Sequence, residues 1–199
     1  MYITIEGMDG SGKSTQVKKL TNRLDENNQP WIYSREAGST EAGLAMRDIL
    51  LNQPFSKDLD NFTRICLFAA SYREGLTKKI LPALEEGKWV VSDRTNISSI
   101  VYQGAMEEFP EAIILNNEIK QPDLVIILDI DHASFVKRQE FKDRDHMENE
   151  LVQDKDKFNF LRDKYISYAR KYTNVVVIDA RQHVDTIHEA IFHAIERSE

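Results

Sequence analysis

The feature that most constrains this chain is a glycine-rich segment close to its N-terminus. A β-branched run, Ile3-Thr4-Ile5, precedes the pattern G-x-x-x-x-G-K-S from Gly7 to Ser14, after which a helical pattern begins. Glycines allow the backbone to curl so that several N–H groups point into one concavity, and the following helix adds the positive end of its dipole. This order of strand, loop and helix predicts a phosphate-binding loop, or P-loop.

A P-loop binds the phosphates of a nucleotide. Lys13 supplies a positive charge near the β- and γ-phosphates, and the Ser14 hydroxyl is a ligand for the magnesium ion that enters with the nucleotide. The alternative is a chance glycine-rich turn, but the pattern is complete and lies between a predicted strand and a predicted helix. The residues that we assign to the phosphates are Gly7, Asp9, Gly10, Ser11, Gly12, Lys13, Ser14 and Thr15.

Length, charge and cysteine content narrow the possible partners. A chain of 199 residues fits one domain, residues 1–199, with a small lid. The net charge of -7 argues against binding to polymeric nucleic acid. The single cysteine, Cys66, cannot form an intramolecular disulfide, and its apolar helical surroundings predict a buried thiol. Because no apolar run approaches the ~20 residues that cross a bilayer, we expect a cytoplasmic protein without membrane contact.

Strand and helix patterns alternate along the chain. Helices are predicted from Lys13 to about residue 28, from Asp60 to Glu86 and from Val184 to Glu196, among others. This alternation predicts an α/β fold with three layers, in which helices cover both faces of a five-stranded parallel sheet, as in P-loop NTPases. The predicted strands are Tyr2–Glu6, Trp31–Ser34, Trp89–Ser92, Leu124–Asp129 and Val175–Ile178.

Residues 137–150 differ from the rest of the chain. Basic side chains alternate there with acidic ones, and too few apolar residues are present to pack against a core. We interpret this segment as a mobile lid.

The remaining motifs distinguish between classes of P-loop protein. A GTPase switch requires N-K-x-D and D-x-x-G motifs, and neither occurs in the appropriate place. A small phosphotransferase fits better, because it needs arginines from separate loops to hold two anionic phosphates together and a lid to expel water. Arg35, Arg47 and Arg94 are at or near the predicted carboxyl ends of strands, and Arg138 and Arg144 are in the predicted lid.

These motifs together resemble the thymidylate kinases, which transfer the γ-phosphoryl group of ATP to deoxythymidine monophosphate (dTMP). The resemblance covers nearly the whole chain. Its landmarks are Gly7-Met8-Asp9-Gly10-Ser11-Gly12-Lys13-Ser14-Thr15, Arg35-Glu36-Ala37-Gly38-Ser39-Thr40, Leu67-Phe68-Ala69-Ala70, Pro82-Ala83-Leu84, Asp93-Arg94, Tyr102-Gln103-Gly104-Ala105, Pro122-Asp123-Leu124 and Ile178-Asp179-Ala180.

The resemblance implies ATP and Mg²⁺ as cofactors and gives roles to the charged residues. Lys13 would bridge the donor phosphates, while Asp9 and Arg94 would place and clamp the acceptor phosphate. Asp93 would orient the magnesium shell together with Ser14. One further catalytic cation would come from the lid, where the candidates are Arg138, Lys142 and Arg144.

The resemblance also implies an acceptor site. Arg47 would be a second contact to the acceptor phosphate, and Glu36 would border the sugar. Phe68 would stack on the pyrimidine, although ordinary helix packing is a fair alternative. The base edge would face Ser99 and Gln103, and the sugar 2′ position would be crowded by Tyr102, which would exclude ribonucleotides.

Two positions depart from the family pattern. Tyr72 replaces an arginine that usually donates to O4 of thymine, and Ala37 replaces a proline. Arg73 cannot simply take over from Tyr72, because one helical step turns a side chain by about 100°. We therefore expect relaxed discrimination at ring positions 4 and 5, and a loop of different peptide geometry at Ala37.

Three interpretations follow from these observations. The first is a thymidylate kinase that forms a homodimer, as the family does through its long helices. The second is a kinase for another deoxynucleotide, such as dUMP or a modified deoxyuridylate. The third is a non-catalytic module that senses ATP, although binding alone would not require an acceptor clamp.

Overall fold

The sheet of this protein is five-stranded and wholly parallel, as the sequence predicts. The computed structural model describes residues 1–104, 120–139 and 146–198, the last range without the side chains of 146–148. The strand order is β2-β3-β1-β4-β5, so the P-loop strand is central. The strands are β1 Tyr2–Glu6, β2 Trp31–Arg35, β3 Trp89–Asp93, β4 Leu124–Asp129 and β5 Val175–Asp179.

Helices connect these strands and surround the sheet, giving the predicted α/β architecture. A 3₁₀ turn spans Ser56–Asp58 and a π-helical turn spans Leu76–Ile80. The α-helices are α1 Lys13–Glu26, α2 Glu41–Leu51, α3 Asn61–Gly75, α4 Leu81–Glu85, α5 Asn96–Tyr102, α6 His132–Gln139, α7 His146–Gln153, α8 Lys155–Lys171 and α9 Val184–Glu196.

Side chains that alternate along β1 supply two apolar clusters. Ile3 is paired in register with Val91, and both belong to the main core. Tyr2 is paired with Val90, and both belong to a second cluster with residues of α3 and the turn after it. Because successive strand residues point to opposite faces, helices must cover both faces of the sheet. The central strands are buried along nearly their whole length, as parallel strands require.

The long helix predicted from Asp60 to Glu86 is present but irregular. The Leu81 N–H donates to the Leu76 carbonyl, the spacing of a π-helix. The next residue, Pro82, has no N–H and so cannot continue the normal pattern, which accounts for the irregularity. Gly87 ends the helix with φ 76°. One detail of the prediction is wrong, since the sequence predicts a buried Cys66 thiol and Cys66 is only partly buried.

The predicted lid falls partly on the ends of two helices. Residues 137–139 continue α6 and residues 146–150 belong to α7. Lys142 and Arg144 lie outside the described residues, so their roles stay predictions. In the ranges that the structure describes, no helix combines the length and apolar character needed to cross a membrane.

Candidate active site

The P-loop connects the end of β1 to the start of α1. Gly7 has φ 131°, and a Cβ added there would lie 2.5 Å from the Leu128 carbonyl oxygen of the neighbouring strand. No other residue fits this position, since it is both left-handed and crowded by backbone. Gly12 is the N-cap of α1, and Lys13 opens the helix. The first backbone N–H groups of α1 therefore face the loop, as a phosphate site requires.

Lys13 is buried at the floor of this loop. Its Nζ donates to the carbonyls of Gly7 at 3.1 Å and Met8 at 2.9 Å, and lies 3.6 Å from Asp9 Oδ1. Burial and the nearby Arg94 guanidinium lower the pKa of Lys13 to about 8, against the opposing effect of Asp9. The ammonium is thus held in place for an anion at the loop.

Two predicted metal ligands are in direct contact. The Ser14 hydroxyl, on the first turn of α1, donates to Asp93 Oδ2 at 3.0 Å, and Asp93 is the last residue of β3. Oxygen donors of this kind suit Mg²⁺, which usually keeps several waters and takes further ligands from the nucleotide. The described residues contain no cluster of three or more His, Cys, Asp or Glu that could hold a metal ion. A magnesium ion that keeps waters and nucleotide oxygens as ligands does not require such a cluster.

Arg94 follows β3 directly and has φ 71°, a conformation that non-glycine residues seldom adopt. Its Nη2 donates to Asp9 Oδ1 at 2.5 Å, across from Lys13. Although burial alone would raise the pKa of Asp9, Arg94 and Lys13 hold it well below its usual range. Asp9 is therefore an ionised carboxylate shared by two cations.

These groups open into one cavity of about 490 Å³. The cavity brings together residues from the ends of β1, β2 and β3 and from α1, α2, α3 and α5. Its lining contains these residues with predicted roles: Asp9, Gly10, Gly12, Lys13, Ser14, Thr15, Arg35, Glu36, Arg47, Phe68, Asp93, Arg94, Ser99, Tyr102 and Gln103. It also contains Leu51, Thr95 and Ser98, which no motif singled out.

The loop after β2 contributes Glu36 and positions Arg47. Arg47 Nη1 donates to the Ala37 carbonyl at 3.2 Å, and the Glu36–Ala37 peptide bond is cis, at the position where the family pattern has proline. Glu36 is 7% exposed, and no residue in the described ranges gives its Oε1 a hydrogen bond. Burial raises the pKa of Glu36 to about 8. The raised pKa favours the protonated form of the Glu36 carboxyl.

The structure does not bring Tyr72 to the cavity. Its side chain is 4% exposed and packs with Tyr2, Leu76 and Val90 in the second apolar cluster. The phenol hydroxyl lies 3.5 Å from the carbonyl of Lys120. Gly7 and Ser11 are likewise absent from the lining, although both are in the P-loop itself.

Arg138 is the one lid candidate within the described residues. It lies in the last turn of α6, and its Nη1 donates to the carbonyls of Gly10 at 3.1 Å and Ser11 at 3.2 Å. Nη2 donates to the Ala180 carbonyl at 2.6 Å. A lid-edge cation is therefore attached to the outside of the P-loop.

Sequence reasoning missed a buried hydrogen-bond network beneath Arg94. Glu6 Oε1 accepts from the Thr95 N–H at 2.7 Å and hydroxyl at 2.9 Å, while Oε2 accepts from Ser98 at 2.7 Å and Tyr165 at 3.2 Å. Burial raises the pKa of Glu6 against these donors and Arg94. An acid that ends an apolar strand is a signal that could have identified Glu6, but Tyr165 carries no such signal.

The buried carboxyl of Glu36 predicts a pH dependence of stability. Between its unfolded pKa of about 4.3 and its folded pKa of about 8, the folded state binds one proton more than the unfolded state. The free energy of unfolding should therefore fall as pH rises, by about 1.4 kcal/mol per pH unit at the steepest. We expect Glu36→Gln to reduce the slope by this contribution, measured by urea unfolding from pH 5 to pH 8.

The matched control for Glu36→Gln is Glu85→Gln, a change to an exposed glutamate on α4 that should keep the slope of the natural protein. Equal slopes for Glu36→Gln and the unchanged protein would contradict the prediction that the Glu36 carboxyl takes up a proton on folding.

Comparison with known proteins agrees with this geometry. The family model described as thymidylate kinase matches residues 5–191. A thymidylate kinase of Symbiobacterium thermophilum is 35% identical over 98% of this chain and 92% of its own length, and one of Chlamydia felis is 38% identical over 92% and 90%. The crystal structure of thymidylate kinase from Ehrlichia chaffeensis matches 98% of both chains with a TM-score of 0.77 and 25% identity. The chain belongs to the thymidylate kinase family.

Proposed function

We propose that this protein transfers the γ-phosphoryl group of ATP to dTMP, which yields dTDP. The observation that carries the proposal is a pair of cations on either side of Asp9. Lys13 is in the P-loop, and Arg94 follows β3, the strand beside β1 in the sheet. A phosphotransferase must hold two mutually repelling anions in line. Lys13 and Arg94 come from separate elements and line one cavity, so they meet that requirement. A nucleotide sensor would need only Lys13.

The donor half is the P-loop with the first turn of α1. Backbone N–H groups and Lys13 would bind the phosphates of ATP, and Ser14 with Asp93 would hold Mg²⁺. When bound, Mg²⁺ neutralises charge on the β- and γ-phosphoryl oxygens. Lys13 is buried, so its charge acts in a medium of low dielectric and stabilises the charge that moves during transfer.

The acceptor half lies on the other side of Asp9. Arg94 and Arg47 would hold the acceptor phosphate, because arginine matches the geometry of phosphate oxygens. Phe68 lines the same cavity and would stack on the pyrimidine, with Tyr102 beside the sugar. A protonated Glu36 would donate a hydrogen bond to the sugar. Ser99 and Gln103 would face the base edge.

The lid completes the donor site in this proposal. Segment 137–150 would close over ATP and bring one of Arg138, Lys142 and Arg144 to the γ-phosphate. Arg138 is hydrogen-bonded to P-loop carbonyls and does not line the cavity, so it would have to leave these contacts to reach the γ-phosphate. We expect a non-hydrolysable ATP analogue to protect this segment from cleavage by a protease. Equal cleavage with and without the analogue would exclude closure.

We also propose a cytoplasmic homodimer. Leu44 and Ile49 on α2 expose apolar side chains to solvent, and exposed apolar surface commonly marks an interface. Sedimentation equilibrium should give twice the chain mass of 23.0 kDa, and a monomer at micromolar concentration would exclude the dimer. The net charge of -7 disfavours polymeric nucleic acid as a further partner.

Specificity for the base depends on other residues than Tyr72. Tyr72 replaces the arginine that contacts the base in the family pattern, and it lies away from the cavity. The side chains that line its base end, Phe68, Ser99 and Gln103, are all uncharged. A charged hydrogen bond contributes about 1.5–3 kcal/mol, and a neutral one about 1 kcal/mol. Discrimination at ring positions 4 and 5 should therefore be weaker than in relatives with an arginine in place of Tyr72, which favours dUMP or a modified deoxyuridylate as an additional substrate.

Turnover with ATP and Mg²⁺ should be measured on dTMP, dUMP, dCMP and dGMP side by side. We expect dTMP to have the highest kcat/KM, with dUMP lower by a factor at the bottom of the about 10- to 200-fold range that one methyl group in an apolar pocket contributes. The control is a thymidylate kinase that carries arginine at the position of Tyr72. A dTMP preference as steep as in that control would contradict relaxed specificity, and ATP binding without any phosphorylation would contradict the proposed function.

A further inference from the structure

We propose that Tyr165 is a positioning residue for phosphoryl transfer, which orients the guanidinium of Arg94 from the helix that follows the predicted lid. The inference rests on the proposed function, since it assigns Arg94 to the acceptor phosphate. Tyr165 does not line the cavity, so it would act through Arg94 and not by touching a substrate.

The contacts of the Tyr165 hydroxyl support this role. It accepts from Arg94 Nη1 at 3.1 Å, donates to Glu6 Oε2 at 3.2 Å and lies 3.0 Å from the Ser98 hydroxyl. The side chain is 2% exposed, and its ring packs edge-on against Tyr102, with the ring centroids 6.4 Å apart. One hydroxyl thus joins the buried carboxyl group of Glu6 to the partly buried guanidinium of Arg94.

The direction of the Arg94 side chain depends on these contacts. Nη1 also donates to the Gly7 carbonyl at 3.0 Å and to Ser98 at 2.8 Å, while Nη2 donates to Asp9. Because a guanidinium is planar, acceptors on both terminal nitrogens fix the plane as well as the charge. Loss of the Tyr165 hydroxyl would remove one of these acceptors and also a donor to Glu6.

Helix α8 is itself fixed relative to the sheet. Arg162, three residues before Tyr165, donates to both carboxylate oxygens of Asp129, at 2.6 Å and 2.7 Å. Asp129 ends β4, next to the P-loop strand. The Tyr165 hydroxyl is therefore held by a rigid element, as accurate placement of a catalytic group requires.

The test is steady-state kinetics of Tyr165→Phe, which removes only the hydroxyl. We expect kcat/KM for dTMP to fall about 10- to 100-fold, in line with losses of other residues that orient a ligand-binding group. The KM for ATP should stay within about twofold. Tyr172→Phe, at the 41% exposed end of the same helix, is the matched control and should change neither value.

A double-mutant cycle of Tyr165→Phe with Arg94→Lys distinguishes positioning of Arg94 from a purely structural role of Tyr165. Arg94→Lys keeps the positive charge but removes the planar guanidinium. If Tyr165 acts through Arg94, the two losses should be far from additive.

Should Tyr165→Phe not fold, Ser98→Ala removes a neighbouring acceptor of the same Nη1 and should give the same selective loss for dTMP. Additive losses, an equal loss for both substrates, or an unchanged kcat/KM for dTMP would overturn the inference. Absence of dTMP phosphorylation by the natural protein would instead overturn the proposed function.

Discussion

The candidate active site of this protein depends on one carboxylate between two cations. Asp9 lies 3.6 Å from Lys13 Nζ and 2.5 Å from Arg94 Nη2, in a position where each cation alone would be costly to bury. Without Asp9 the two positive charges would repel each other, and Lys13, whose pKa is already lowered, would lose its proton more readily. The carboxylate thus favours the charged form of Lys13 beside Arg94 and offsets the repulsion between the two cations.

The sheet topology makes this arrangement possible. Because β1 is central and parallel to both neighbours, its P-loop meets the ends of β3 and β4 at the same edge. β3 delivers Asp93 and Arg94, and β4 places its Leu128 carbonyl against Gly7. Side chains from distant parts of the sequence therefore converge at this edge.

Much of this architecture could be predicted from the sequence, and the limits have physical causes. The P-loop and the five strands are local patterns, so residues within about ten positions of one another determine them. The Glu6–Tyr165 contact joins residues 159 positions apart, and no local pattern encodes it. Helical periodicity predicted the helix that contains α3, but it could not tell which of its side chains a neighbouring element covers, and Phe62 on this helix is 50% exposed. For the same reason it could not show that Tyr72 packs away from the cavity.

The central claim is that Lys13 and Arg94 serve two separate anions, and binding without turnover tests it most directly. Calorimetric titration of ATP alone and of dTMP alone should be compared for Lys13→Met and Arg94→Lys. We expect Lys13→Met to weaken ATP binding at least about tenfold while dTMP binding changes little, and Arg94→Lys to do the reverse, since each change removes charge-assisted hydrogen bonds to one ligand. Loss of ATP binding in both variants, with dTMP binding unchanged, would contradict the claim.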